Sequence, residues 1–329
     1  MARDARPWNE TFRFRVRPML NSRASWLPVV GTAILVTGIA VTGFGSPGHY
    51  QSSSEGPVAI AGGKFQASAV VHVPGTKQFL FVDDDHNAEL FVLEIGADGK
   101  QQGAANRVGI DATVTDQEGL TSDGRYFYTV GSQSKLVGFD GDGLVRFTYD
   151  PQSKSVGGVA RITRLKEWLS DHVTELRGVA GKMGDHVLNI EGLAWDPQGQ
   201  RLLLGLRAPV SDGNALIVPV RLDRPDAPFS RENLRVAGET ITLPLGGAGI
   251  RSIEYDARSK HYLIITGAAL NEETLDFELM EWDGTPGSRP VAVGRYGKET
   301  KPEGVTTTSG SDGNMRVLVF DTGLLHVQR

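Results

Sequence analysis

NIEGLAWDPQGQRLLLGLRAP, residues 189–209, is the stretch on which the fold turns. It opens on a Glu-Gly pair, Glu191-Gly192, and runs through apolar residues to Asp196, five positions after the glutamate. It reverses through Pro197 and Gly199 and returns as a leucine-rich run. Two short apolar runs separated by an Asp/Pro/Gly reversal describe a β-hairpin. Residues 116–134, DQEGLTSDGRYFYTVGSQS, follow the same plan, with Glu118 and then Asp123 five positions on. Residues 249–269, GIRSIEYDARSKHYLIITGAA, repeat it with Arg251 in the glutamate's place. Residues 302–323, PEGVTTTSGSDGNMRVLVFDTG, carry Glu303, and a degenerate first copy at 65–85, FQASAVVHVPGTKQFLFVDDD, carries Ser68.

Further strand-like runs fill the intervals: AELFVLEI at 88–95, LVRFTYD at 144–150, ALIVPVRL at 215–222 and DFELMEWD at 276–283. Each unit therefore offers three to four strands over about 50–60 residues, the layout of a propeller blade. The markers Ser68, Glu118, Glu191, Arg251 and Glu303 are spaced by 50, 73, 60 and 52 residues. An insertion accounts for the long interval. Ile162, Leu165, Trp168, Leu169, Val173 and Leu176 recur at helical spacing and predict an amphipathic helix over 163–177. Five units are visible, and divergent copies would raise the number to six or seven. A pair of β-sandwiches is the competing architecture, but it leaves the recurrence of one polar marker per hairpin without a cause. The expected fold is an all-β propeller of five to seven blades with one short helical insertion, preceded by an N-terminal transmembrane helix.

That helix is read from the charge pattern. Residues 1–25 hold six arginines against Asp4 and Glu10, a net charge of +4, and no charged residue occurs between Arg23 and Glu55. Within the gap lies WLPVVGTAILVTGIAVTGFG at 26–45, and twenty helical residues span about 30 Å, the hydrocarbon thickness of a bilayer. A soluble surface helix would show a polar face, and this stretch has none. The basic flank places 1–25 in the cytoplasm and the rest of the chain across the membrane. The span exceeds the usual apolar core of a signal peptide, which favours an uncleaved anchor, while Gly43 and Gly45 suit a cut site. Residues 46–56 read as a flexible tether and 57–329 as the propeller domain.

The whole chain carries −5, so residues 26–329 carry −9. A part that acidic argues against nucleic acid as a partner, since phosphate binding needs a basic face. The absence of Cys excludes disulfides and thiolate metal sites. With 41 glycines among 329 residues, Gly is well above its usual share of about 7% and serves the turns.

One fixed position per blade falls on one ring around the propeller axis. Ser68, Glu118, Glu191, Arg251 and Glu303 are expected on that ring. A second set, Asp83 or Asp84, Ser132, Arg207, Gly267 and Asp321, sits where the returning strands end. Three readings of these residues stay open. The glutamates can accept backbone hydrogen bonds and pair with Arg207 and Arg251. Glu118, Glu191 and Glu303 can instead hold Ca²⁺ through oxygen ligands. Or the carboxylates can do general acid–base work beside arginines that bind an anionic substrate. The run Asp83-Asp84-Asp85-His86 alone reads as a solvated turn. The chain has no nucleophile elbow, phosphate loop or dinucleotide fingerprint.

In combination, NIEGLAWDPQGQRLLLGLRAPV, DQEGLTSDGRYFYTVGSQS, LVRFTYD, GGAGIRSIEYD and the late PEGV resemble the bacterial family named domain of unknown function 3616. The resemblance covers residues 62–327 and is similar in kind to phytase-like esterase and lactonase propellers. It implies a propeller and no established activity. Where the family often has Ser-His-Ser, this chain has Ser132-Gln133-Ser134, which weakens an enzyme reading. The expectation is a propeller at a bacterial inner membrane, facing the periplasm or cell exterior, or secreted after cleavage. It would act as a binding module for an unknown small molecule or protein, with a polar channel able to take Ca²⁺. The alternative is a metal-dependent hydrolase of an ester, phosphoester or lactone.

Overall fold

The computed structural model describes residues 56–135, 143–270, 275–308 and 313–329. The expected membrane span at 26–45 lies outside them, and no helix among the described residues is long and apolar enough to cross a membrane.

A short strand β1 (Val58–Ala59) begins the described chain, and five antiparallel sheets follow in sequence order. The first holds β2 (Ala67–His72), β3 (Gln78–Asp83), β4 (Glu89–Glu94) and β5 (Asn106–Gly109). The second holds β6 (Gln117–Ser122), β7 (Phe127–Gly131), β8 (Gly143–Asp150) and β9 (Ser155–Thr163). The third runs β10 (Asn189–Asp196), β11 (Arg201–Ala208) and β12 (Ala215–Leu222). There β13 (Leu234–Val236) and β14 (Ile241–Leu243) share the outer edge of β12. The fourth holds β15 (Ala248–Asp256), β16 (His261–Ala268), β17 (Phe277–Trp282) and β18 (Val291–Tyr296). The fifth holds β19 (Pro302–Thr307), β20 (Arg316–Phe320) and β21 (Leu324–Gln328), and takes β1 as its outermost strand. Val58 pairs with Leu325 and Ala59 with Leu324. The first strands β2, β6, β10, β15 and β19 pack neighbour to neighbour, with β19 meeting β2, so they form the inner ring of a five-bladed propeller.

The sequence makes these strands apolar on both faces, as in LLLGL at 202–206, because each sheet is covered on both sides. A separate hydrophobic cluster fills each wedge between neighbouring blades. Between the first two blades Val71, Leu80 and Val82 meet Leu120, Phe127 and Phe147. Between the third and fourth, Ala194 and Leu203 meet Ile250, Ile253 and Ile264. Full burial of each such aliphatic side chain stabilises by about 1.5–3 kcal/mol.

Innermost strands are also stapled across blades. Thr121 Oγ1 accepts from Trp195 N at 3.1 Å, and Thr306 Oγ1 accepts from His72 N at 3.2 Å. The aspartates five positions after three of the markers, Asp123, Asp196 and Asp256, prove to be turn anchors. Asp196 Oδ1 accepts from Gln198 N and Gly199 N, both at 3.0 Å, and Asp123 Oδ1 accepts from Arg125 N and Tyr126 N. Asp256 does the same for Arg258 N, at 3.1 Å.

The helical insertion is shorter than its periodicity predicts. Ile162 belongs to β9, opposite Leu144, and Arg164 adopts a left-handed φ of 56° that separates strand from helix. The helix α1 covers Leu165–His172, Val173 is extended, and a single 3₁₀ turn follows at Thr174–Leu176. All six apolar residues of the pattern are nonetheless buried, against the second and third blades.

A charged axial mouth as candidate functional site

Each innermost strand carries a register shift, and in every case the shift falls on the marker. Pairing skips Ser68 between Ala67 and Ala69, Glu118 between Gln117 and Gly119, and Glu191 between Ile190 and Gly192. It skips Arg251 between Ile250 and Ser252, and Glu303 between Pro302 and Gly304. A β-bulge leaves one residue out of the ladder and re-aims its side chain. All five re-aimed side chains line one cavity of about 390 Å³.

The glycine that follows three of the markers is required by the close approach of neighbouring blades. A Cβ at Gly119 would come within 2.6 Å of Leu193 Cβ, and one at Gly192 within 2.9 Å of Ile250 and Ile253. One at Gly304 would sit 2.9 Å from Ala69 Cα. The recurring Glu-Gly pair is thus an aimed side chain followed by a contact point between blades.

Within the cavity the charges form a chain. Arg207 Nη1 meets Glu191 Oε1 at 2.9 Å, and Asn189 Nδ2 donates to the same oxygen at 3.0 Å. Arg251 Nε lies 2.9 Å from Glu191 Oε2 and 2.9 Å from Glu303 Oε2, and its Nη2 pairs with Glu303 Oε1. Arg207 Nε also donates to Ala268 O at 3.1 Å. Burial disfavours the Arg251 charge, but Glu191 and Glu303 more than compensate and hold its pKa above the usual range. Burial pushes Glu303 up to about 7 despite Arg251, with Glu191 adding repulsion.

Glu118 differs from the other two glutamates. It forms no hydrogen bond or ion pair among the described residues. Burial, followed by the charges of Glu191, Glu303 and Asp116, holds its carboxyl well above the usual range, offset in part by Arg251. Asp84 is similar: its Oδ1 is buried without a hydrogen-bond partner. Burial and the neighbouring Asp83, Asp85, Asp321 and Asp116 raise it to about 6. Asp321 is paired with Lys301 Nζ at 2.6 Å.

Of the candidate residues, Ser68, Asp84, Glu118, Glu191, Arg207, Arg251, Glu303 and Asp321 line the mouth. Ser132 does not; it is buried, with its hydroxyl donating to Asp116 Oδ2 and near Ser134 Oγ at 3.1 Å. Asp83 is a turn anchor for Gln66 N and His86 Nδ1, both at 2.8 Å. At Gly267 a Cβ would meet the Phe277 ring at 2.8 Å and Arg251 Cγ at 3.2 Å, so the missing side chain makes room for those two. The three glutamates do not form a compact ligand set, because Arg251 stands between Glu191 and Glu303. Among the described residues, the acidic group whose carboxylate oxygens lie within 4.8 Å of one another is Asp83, Asp84 and Asp85.

The repeats gave no sign of Gln66, Phe277, Lys298 and Lys301, which also line the mouth. Phe277 comes from a third strand, and its ring carries the Arg251 guanidinium at 5.7 Å. The two lysines belong to the loop that leads into PEGV, and a basic pair there was the available signal.

The family model described as "Protein of unknown function (DUF3616)" matches residues 156–320, half of the chain. The chain belongs to this family. No curated protein matches it in sequence. Among solved structures, this DUF3616 protein is similar to a Myxococcus xanthus glutaminyl cyclase at 13% identity, over 86% of this chain and 98% of that one, with a TM-score of 0.44. It is also similar to the PQQ domain of a Coprinopsis cinerea pyranose dehydrogenase at 10% identity, over 86% and 98%, with a TM-score of 0.47. A putative gluconolactonase matches at 12% identity over 85% and 93%, with a TM-score of 0.41.

Proposed function

We propose that this DUF3616 protein is an extracytoplasmic ligand-binding module, and that its axial mouth takes a small molecule rich in hydrogen-bond donors onto Glu118 and Asp84. The observation that carries this is Glu118, a half-buried carboxyl without a protein donor among the described residues, opening on a cavity of about 390 Å³. Groups left in that state are costly unless something else pairs with them. Glu191 and Glu303 are already neutralised by Arg207 and Arg251, so the unsatisfied capacity of the ring is concentrated at Glu118 and Asp84. Hydroxyl or amine donors would meet it. The arginines and the Phe277 ring supply the opposite wall, and Lys298 stands at the rim.

Ca²⁺ is the simplest electropositive partner for the same groups. A cation there would rest on Asp84 with its neighbours Asp83 and Asp85, whose oxygens lie within 4.8 Å of one another, rather than on the three glutamates expected from the repeat. A hydrolase reading is favoured by the upward shift that burial, then Glu191 and Glu303, impose on the Glu118 carboxyl, a direction that suits a general acid.

The test is thermal stability of the full chain against Ca²⁺, a chelator, and a panel of neutral polyols and primary amines. Binding to the folded state adds RT ln(1 + [L]/Kd), about 2.7 kcal/mol at a hundredfold excess over Kd. A compound that stabilises the wild type should lose that effect in Glu118→Gln and Asp84→Asn. If both variants respond as the wild type does, the mouth is not the site.

A further inference from the structure

A second cavity lies between the second and third blades, at the other end of the strands from the axial mouth. Glu118 opens β6, whereas Asp123, just beyond its far end, belongs to this second lining. The cavity measures about 310 Å³, within the range of small-ligand sites. Its walls are carbon-rich, with Tyr126, Trp195 and Phe229 among four leucines and Val220.

Five charged side chains line it: Arg125, Arg221 and Asp226 are exposed, Asp123 is half-buried at the β6–β7 turn, and Arg146 reaches in among the rings. The guanidinium of Arg146, from β8, sits 4.3 Å from the centre of the Tyr126 ring and 4.8 Å from that of Phe229. Its Nε is buried and meets no acceptor, and no ion pair or hydrogen bond among the described residues involves Arg146. Of the two acids in the lining, Asp226 is exposed and forms no ion pair with Arg146, and Asp123 is committed elsewhere. Its Oδ1 anchors the β6–β7 turn, and its Oδ2 accepts from Tyr128 Oη at 2.6 Å. Arg125 stacks on the exposed side of Tyr126 at 4.9 Å, so it adds positive charge at the entrance.

A guanidinium carries five donors in a planar fork, and ring faces satisfy its charge in part but none of its N–H groups. Leaving the buried Nε donor unmet is unfavourable. The missing partner is therefore an anion with two oxygens in one plane, attached to an apolar body flat enough to lie among the rings. We propose that this cavity is a second binding site, for a small aromatic carboxylate whose carboxyl pairs with Arg146. It is independent of the axial mouth and shares no lining residue with it.

The probe is 2-naphthoate, with 2-naphthamide as its neutral counterpart, titrated into the full chain. Calorimetry gives affinity, and the indole N–H resonances of ¹⁵N-tryptophan-labelled protein give location. Trp195 is in the cavity wall, Trp168 and Trp282 are buried and do not line it, and Trp8 and Trp26 lie outside the described residues, so the Trp195 signal, assigned with Trp195→Phe, should shift on its own. Naphthoate should bind about 10- to 100-fold more tightly than the amide, the worth of a charge-assisted pair. Arg146→Gln should abolish the preference for the carboxylate, and Glu118→Gln should leave it unchanged. The proposal is overturned if naphthoate does not bind at millimolar concentration, if acid and amide bind equally, or if the Trp195 signal stays fixed while others move. The resonance and acid-against-amide readouts need only wild-type protein, so they stand even if Arg146→Gln does not fold.

Discussion

Glu254 is a carboxyl that folding forces toward its protonated form, and replacing it with glutamine should stabilise the protein by an amount that depends on pH. It lies on the innermost strand of the fourth blade, three residues beyond the Arg251 bulge, and its Oε1 accepts from Thr306 Oγ1 at 3.1 Å. Burial, with a smaller push from Asp256, raises it from 4.5 to about 8, and Thr306 offsets this in part. Because the folded pKa is the higher one, the unfolded chain ionises first. Stability should fall as pH rises from 4.5 toward 8 and level off beyond. At about 1.4 kcal/mol per pH unit, the cost reaches about 3 kcal/mol at pH 7 and about 5 kcal/mol above pH 8. Native domains are stable by about 5–15 kcal/mol in all, so this is a large share. Glu254→Gln keeps the acceptor for Thr306 and removes the titration. Urea denaturation of both proteins at pH 5, 7 and 9 should give a gain below about 1 kcal/mol at the lowest pH, growing to several at the highest. A gain independent of pH, or a loss at pH 9, would refute the assignment of a buried, unneutralised carboxylate.

Other consequences are open to direct test. Glu191→Gln leaves Arg207 and Arg251 short of a counter-charge and should cost about 3–5 kcal/mol in chemical denaturation; a gain would mean that repulsion among the ring carboxylates dominates. Gly192→Ala puts a Cβ 2.9 Å from Ile250 and Ile253 and 3.1 Å from Gly205 Cα, and should lower stability by about 1–3 kcal/mol through overpacking. His326 is buried beside Arg316, and burial followed by that charge depresses its pKa below 6.5. The stability it confers is present above pH 6.5 and should be lost as pH falls below it; His326→Gln should flatten that part of the acid limb of the melting curve. A reporter fused after Gly56 should be active only in a form that works outside the cytoplasm, and activity inside would remove the basis for the topology.

The repeat was legible because a propeller imposes the same demand at each blade: one polar residue, an apolar strand, an anchored turn and a return. The strand at 215–222 was readable from composition alone, since sheets covered on both faces show continuous apolar runs. The bulge was not legible, because nothing in the sequence Gln117-Glu118-Gly119 says which residue leaves the ladder. That requires the neighbouring blade, whose Leu193 closes on Gly119. The aspartates five positions on recur with the glutamates, and in the fold their Oδ1 atoms serve backbone amides within three residues. Ser132 was placed at the mouth by its position after β7, yet its hydroxyl is turned to Asp116. The excess length given to the helix has a similar origin. Ile162 fits the helical period, but the strand ladder claims it. Phe277 and Lys298 escape any repeat-based reading because they come from segments that vary between blades.

The bulges have a bearing on how proteins of this architecture diversify. A residue outside the hydrogen-bond ladder is not constrained by cross-strand pairing, so the five axial positions form a short word, here Ser-Glu-Glu-Arg-Glu, written on a separately maintained scaffold. A single codon change at any letter alters the field at the mouth while the wedges between the blades keep their side chains. Relatives can therefore drift from one ligand chemistry to another without passing through an unfolded intermediate. Comparing the words at these five positions across relatives would sort them by what they bind more sharply than comparing whole sequences.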